Sequence, residues 1–196
     1  MPPAASIVIP VKGLASGKSR LAELLSPAER LALNRRLAER TLDVALECAR
    51  TAKAVVDIYI VSPDDSVADI IQSRPAIFLR QSASGLNAGL AEAVDCLPAR
   101  RTIFLAADLP NLRAEDIDEL LCVQGIGIAP DQRQRGTNAL SVPQPGALPF
   151  GFGADSMQRH IASARNSGLP LRLIQRPGLA FDLDTKDDLT RIEGWP

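Results

Sequence analysis

The sequence predicts an α/β fold: a doubly wound, mostly parallel sheet in a single domain over residues 1–196. Three observations predict it. Short apolar, β-branched runs alternate with longer stretches of helical periodicity, the pattern of strands joined by crossover helices. One run, Thr102–Ala107, is apolar throughout, as a strand covered on both faces must be. The 196 residues show no break in composition, and that length suits one core.

The elements follow in order. Ser6–Val11 is the first strand, closed by Lys12-Gly13. Pro27–Arg50 places Leu31, Leu37, Leu42, Val44 and Leu46 at helical spacings, with Ser26 as N-cap and Pro27 at the first helical position. Val55–Ser62 is a strand ended by Pro63, Ser66–Gln72 a short helix, and Ala76–Leu79 a strand. Leu86–Cys96 reads as a helix, Thr102–Ala107 as a buried strand and Ala114–Cys122 as a helix. Strands Ile126–Ala129 and Asn138–Val142 come next, then an irregular loop rich in Pro and Gly from Pro143 to Gly153. A helix over Asp155–Asn166 and strands Leu171–Ile174 and Leu179–Leu183 complete the series.

A formal net charge of −1 and a pI near 5.9, with basic residues dispersed along helices, give no electrostatic footprint for nucleic acid. No run nears the roughly 20 apolar residues needed to span a bilayer. The start, Met1-Pro-Pro-Ala-Ala, lacks the features of a secretory leader, so the cytoplasm is the expected compartment. Cys48, Cys96 and Cys122 stand singly in helical patterns without metal-ligand spacing, and are read as buried thiols.

Asp182 and Asp184 lie two residues apart in Phe181-Asp-Leu-Asp, and an extended chain points such a pair to one face. Asp108 follows the Thr102–Ala107 strand, whose carboxyl end opens on the ligand crevice of such a sheet. Together the three form an oxygen-only donor set suited to Mg²⁺. Either Asp182 or Asp184 alone could instead cap the helix beginning near Thr185.

Four loops could meet anions. Lys12-Gly13-Leu-Ala-Ser-Gly17-Lys18-Ser19-Arg20 brings three cations to the end of the first strand. Its Gly17-Lys18-Ser19 resembles the end of a P-loop, but only three residues separate Gly13 from Gly17 where that motif needs four. Gly85-Leu86-Asn87 opens a helix and offers backbone groups and an amide to a base or ribose. Thr137 lies in a turn that precedes a short strand, and Gly153 precedes Ser156, which shares a helix face with His160, the one histidine. The helix start and the hydroxyls of Thr137 and Ser156 would form an anion pocket. Taken alone, Ser156 reads as a cap and His160 as a packing residue, with Arg133 and Arg135 as solvated loop charges.

In this order, Val11-Lys-Gly…Gly-Lys-Ser-Arg-Leu, Gly-Leu-Asn-Ala-Gly-Leu, Ala-Ala-Asp-Leu-Pro, Gly-Thr-Asn-Ala-Leu, Phe-Gly…Ser…His and Phe-Asp-Leu-Asp-Thr resemble the guanylyltransferases of coenzyme F420 biosynthesis. The resemblance covers Ser6 to about Leu189. It implies a nucleotide-diphospho-sugar-transferase-like (Rossmann-like) fold and transfer of GMP from GTP to the phosphate of a phosphorylated three-carbon acid, with release of pyrophosphate. It further implies one or two Mg²⁺ at Asp108, Asp182 and Asp184. Nucleotide contacts would come from Lys12, Gly13, Lys18, Arg20, Gly85, Leu86 and Asn87, and acceptor contacts from Thr137, Gly153 and Ser156. Asp108, Lys12 and Lys18 would act on the reacting phosphates. Asp155 and Met157 depart from the small and aromatic residues expected beside Ser156. An Arg-heavy, Lys-poor composition favours phosphoenolpyruvate or 3-phospho-D-glycerate over 2-phospho-L-lactate as acceptor. A homodimer stays open, as do two other classes: a sugar-phosphate nucleotidyltransferase and a noncatalytic nucleotide-binding module.

Overall fold

The computed structural model describes residues 4–52 and 54–192; Met1–Pro3, read above for a leader, lie outside them. Seven strands form one sheet: β1 (Ala4–Pro10), β2 (Val55–Ser62), β3 (Ile77–Arg80), β4 (Arg101–Leu105), β5 (Ile126–Pro130), β6 (Thr137–Val142) and β7 (Leu171–Leu173), in the order β3-β2-β1-β4-β6-β5-β7. The helices are α1 (Pro27–Thr51), α2 (Leu86–Val94), α3 (Ala114–Leu121), α4 (Ser156–Ser167), α5 (Pro177–Ala180) and α6 (Lys186–Leu189), with short 3-10 turns at Ser19–Leu21 and Asp65–Ile71. The predicted helix over Ser66–Gln72 is thus a 3-10 turn.

Pairing is parallel except around β6, which runs antiparallel to both β4 and β5. The reason is loop length: six residues separate Pro130 from Thr137, and a parallel crossover needs a dozen or more. The hairpin turns on Gln134, at φ 56°, with Asp131 Oδ1 accepting the Arg135 N–H. Because β6 is reversed, Thr137 at its start lies beside the carboxyl end of β4, where Asn138 O accepts the Ala106 N–H at 2.8 Å.

The sheet is covered on both faces. Ile7, Ile9, Ile58, Ile60, Ile103 and Leu105 pack with Leu42 and Ala45 of α1 and Ile117 and Leu120 of α3. Val8, Val61, Phe104, Ile128 and Leu140 face the other way onto Leu90 of α2 and Met157, Ile161 and Ala164 of α4. This alternation with apolar residues on both sides is what a doubly covered sheet requires, and each fully buried Leu or Ile contributes about 1.5–3 kcal/mol. α1 begins with the anticipated Ser26 cap, reinforced by a reciprocal bond from Glu29.

Two expectations need correction. Leu179–Leu183 is not a sheet strand: Pro177 starts the short helix α5, and the Leu179 and Ala180 carbonyls are taken by the Asn138 side chain and the Gln132 N–H rather than by a ladder. The following residues are nonetheless alternately buried and partly exposed, with Phe181 and Leu183 inside. Cys48 is buried, but Cys96 and Cys122 are exposed, so the all-buried reading holds for Cys48 alone.

Gly178 sets how closely α5 approaches α3. A Cβ there would overlap Asp116 Oδ2 and lie 2.8 Å from the Asn111 carbonyl, and Asp116 is itself held by Arg176 at 2.8 Å. Gly178→Ala is expected to destabilise the protein by about 1–3 kcal/mol, the usual cost of overpacking, as read from urea denaturation midpoints.

Candidate active site

The topology places a crevice where β1 and β4 lie side by side while their connections leave in opposite directions, the position at which open α/β sheets take ligands. A cavity of about 460 Å³ opens there, lined by Pro10 of β1, Phe104 and Leu105 of β4 and Ala106 just after it, Thr137 and Asn138 of β6, the 152–156 loop, and Asp182 and Asp184.

At one end are the acids. Leu183 sits between Asp182 and Asp184; its side chain is buried against Leu21, Leu33 and Leu37, and its N–H donates to the Asp108 carbonyl at 3.1 Å. That single residue brings the two acids to the end of β4. Neither acid caps α6. Thr185 does, with Asp188 accepting from the Thr185 and Asp184 N–H groups. Asn138 Nδ2 adds an anchor through the Leu179 carbonyl at 2.9 Å and Asp182 Oδ1 at 3.4 Å.

The counter-charge is Lys18. Its Nζ donates to Asp108 Oδ2 at 2.5 Å and to Asp184 Oδ1 at 2.9 Å, with the side chain only 7% exposed. Burial alone would lower its pKa, but the two carboxylates more than offset that and hold the ammonium above its ordinary range. Lys18 reaches them from a left-handed backbone, φ 56°, at the start of the three-residue 3-10 turn. No α-helix begins at this loop before Pro27, so the P-loop geometry is absent. Arg20 approaches Asp184 from the rim, 3.5 Å away and 70% exposed. Asp182, lacking such a partner, has its pKa pushed up to about 6 by burial and by the charges of Asp108 and Asp184.

Among the described residues no three His, Cys, Asp or Glu side chains are arranged to hold a metal ion. The predicted triad is therefore not assembled as a ligand cluster; an ammonium joins two of its members instead. The donor chemistry still fits a hard divalent cation: the oxygens are carboxylate, they gather around one positive group, and Asp182 faces its neighbours' uncompensated charge.

At the other end lies the start of α4. Ser156 is 1% exposed, and its Oγ has no hydrogen-bond partner. Gly153, at φ 115°, shapes the turn into the helix. Asp155 forms an ion pair with Arg135 at 2.8 Å, which assigns Arg135 a partner and offsets the negative charge beside Ser156. Thr137 lines the same cavity and contacts His160 Nδ1 at 3.0 Å.

The nucleotide turn differs in detail from its reading. Gly85, at φ 92°, caps α2 and Leu86 lines the cavity. The Asn87 amide, however, is engaged with the backbone of Phe152, donating to its carbonyl at 3.0 Å and accepting its N–H at 2.9 Å, rather than presented to a base or ribose. Gln81 and Glu92 build the turn by binding Ala83, Gly85 and Ser82. Lys12 is exposed, and Gly13 is buried at φ 127° beside Asp64; neither lines the cavity. Asn138 acts through Leu179 and Asp182, contacts too distant in sequence to be read from it, whereas Gln81 and Asp188 act on their own neighbouring turns; the Thr185-x-x-Asp188 spacing, a capping signature, was a signal available for Asp188.

The family described as "Guanylyl transferase CofC like" matches residues 5–193. The chain belongs to this family. It is 42% identical over 189 residues to a phosphoenolpyruvate guanylyltransferase of Chloroflexus aggregans, covering 93% of this chain and 94% of the relative. It is 34% identical over 202 residues to a 3-phospho-D-glycerate guanylyltransferase of Phenylobacterium zucineum, covering 98% and 91%. Among solved structures, a Desulfovibrio desulfuricans protein ascribed to the nucleotide-diphospho-sugar transferases aligns with a TM-score of 0.73 at 19% identity, over 94% of this chain and 84% of that one. A nucleotidyl transferase of Methanothermobacter aligns at 0.70 and 18%, over 96% and 95%. The expected fold is borne out, as is the expected reaction class of a guanylyltransferase. Among the described residues no helix is long and apolar enough to cross a membrane.

Asp182 carries a pH prediction. Its carboxyl is raised from 3.8 to about 6, so the folded state binds a proton that the unfolded chain releases, and stability from this group falls as pH rises through about 6. In metal-free buffer, Asp182→Asn is expected to be more stable than wild type by about 1 kcal/mol near pH 8, discounted for the exposed part of the carboxylate. The gain should shrink as pH falls through 6 and vanish below 4, as measured by urea denaturation across pH.

Proposed function

We propose that this chain transfers the guanylyl group of GTP to the phosphate of a phosphorylated three-carbon acid, phosphoenolpyruvate or 3-phospho-D-glycerate ahead of 2-phospho-L-lactate, in coenzyme F420 biosynthesis. The observation that carries it is a cavity with two chemically distinct ends. Asp182 and Asp184, the latter joined through Lys18 to Asp108, line one, and Ser156, whose hydroxyl is unpartnered, lines the other at the start of α4. The names of its relatives favour phosphoenolpyruvate or 3-phospho-D-glycerate.

A phosphate oxygen of the acid attacks the α-phosphorus of GTP. The new P–O bond joins GMP to the acid as the bond to pyrophosphate breaks, and pyrophosphate leaves with its electron pair. A phosphate monoester already carries about −1.5 to −2 charge near neutrality, so no protein base is required; the residues must neutralise repulsion and fix the line of attack. Asp108, Asp182 and Asp184 would hold a divalent cation, which when bound supplies charge neutralisation for the two phosphates. Lys18, kept charged by its two carboxylates, would turn toward the leaving pyrophosphate once that charge is met, with Arg20 contributing from the rim. Leu86 and the Gly85 turn would bound the nucleotide, and Thr137, Gly153 and Ser156 the acid. GTP and one small phosphorylated acid are the only partners this reaction needs.

The test is pyrophosphate release with Mg²⁺ and each nucleoside triphosphate against the three acids and a set of sugar phosphates, with product masses recorded. GTP with an acid should give a GMP–acid adduct; release with sugar phosphates alone would overturn the proposal. Asp108→Ala, Asp182→Ala and Asp184→Ala should each lower kcat at least 100-fold, about 2.7 kcal/mol, with unchanged circular dichroism. Arg20→Ala should cost less than tenfold.

A further inference from the structure

His160 is the chain's one histidine and is fully buried. Its two ring nitrogens meet different partners. Nε2 lies 3.2 Å from the Gly151 N–H, and a backbone amide can only donate, so Nε2 must accept and carries no proton. The ring is neutral, because burial first and Arg159 second lower its pKa to about 4. Its one proton therefore sits on Nδ1, 3.0 Å from Thr137 Oγ1. Two donors would otherwise face each other across the Gly151 contact.

The consequence falls on Thr137. Its oxygen accepts from Nδ1, so its own hydrogen must point elsewhere. Among the described residues its hydroxyl has no other hydrogen-bond partner, and Thr137 lines the cavity beside Ser156. The ring cannot turn freely to reverse this order. Phe152 packs edge-on against it, with centroids 4.8 Å apart, and the Gly151 carbonyl is tied to the Arg159 guanidinium at 2.9 and 3.1 Å.

We propose that His160 is a positioning residue: by accepting from Gly151 and donating to Thr137, it makes the Thr137 hydroxyl a donor toward an anionic group of the acceptor acid. This rests on the acceptor reading of that end of the cavity. It links loop and ligand, since the same imidazole that pins residue 151 sets the polarity of the group that recognises the substrate. An anionic oxygen at this point takes the Thr137 hydrogen, while Nδ1 keeps one of the hydroxyl's two lone pairs occupied.

Two measurements test it. In ¹⁵N-labelled wild-type protein without substrate, the single imidazole gives an unambiguous long-range ¹H–¹⁵N pattern; protonated Nδ1 with bare Nε2 is expected, and an Nε2–H tautomer would overturn the proposal. The second is kinetic. An amide at residue 160 mimics Nδ1 when it is Asn and Nε2 when it is Gln, so His160→Asn retains the donor to Thr137 while His160→Gln retains only the partner of Gly151. Thr137→Val and His160→Gln are each expected to raise the acceptor KM about tenfold, with the GTP KM changed less than twofold. The double variant should be no worse than either single variant, and His160→Asn should lie nearer wild type. Losses that multiply in the double variant, or equal damage to both KM values, would overturn the proposal; melting temperatures identify any variant that fails to fold. Absence of turnover by wild type with every phosphorylated acid would sink the function and this role with it, while the tautomer measurement separates that failure from a wrong hydrogen-bond assignment.

Discussion

Asp108 and Asp184 could not share a partly buried crevice without a cation between them, because like charges in a low-dielectric pocket each oppose ionisation of the other. Lys18 meets that need, and in doing so joins three segments far apart in the chain: the loop after β1, the end of β4 and the 181–184 segment. Leu183 makes the closure possible from the apolar side, since its burial against Leu21, Leu33 and Leu37 fixes the height at which its two acidic neighbours stand. Asp182, left without an equivalent partner, shows what the site would be without the lysine: a carboxyl pushed up to about 6.

Much of this was legible in the sequence. The strand and helix alternation gave the sheet, and the i, i+2 spacing of Asp182 and Asp184 identified both acids although their segment is not a strand. The spacing argument survived because it needs only an extended backbone and an apolar residue between the two, and Phe181-Asp-Leu-Asp supplies both. Long-range partner choice was not legible. Nothing in Arg135 or Asp155 announces an ion pair between a hairpin and a helix start, and Asn87, placed in a glycine turn, looks equally suited to a ligand and to a neighbouring loop. Cys96 and Cys122 were misread because they fall at helix ends, where a periodic pattern no longer specifies the buried face.

The two ends of the cavity are built on opposite physical rules. The acid end gathers formal charge and balances it within the protein, so its geometry follows electrostatics and responds to any cation that enters. At the other end the charges that line the cavity balance, Arg133 and Arg135 against Asp131 and Asp155, and His160 is neutral. What remains is directional, namely the Ser156 and Thr137 hydroxyls, because the Ser156 and Met157 N–H groups already donate to the Gly153 and Arg135 carbonyls. An unpaired buried hydroxyl costs about 1–3 kcal/mol, and a protein retains such a group where a ligand completes it. Formal charge thus dominates one end of the cavity, and hydrogen-bond direction the other.

Asn87 ties the turn that opens α2 to the loop that enters α4. Its amide uses both its donor and its acceptor on the backbone of Phe152, so the turn that opens α2 and the loop that leads into α4 cannot move apart without breaking two hydrogen bonds. Phe152 in turn packs on Phe150 and on the His160 ring, and Phe150 on Phe104 in the sheet. A displacement of the nucleotide turn is therefore carried through Phe152 to residue 151, His160 and Thr137 by direct contacts, without a hinge between them. A transfer reaction between two anions needs this rigidity, because the approach of the second phosphate is opposed by charge, and a wall that yielded would let the substrates relax apart instead of reacting.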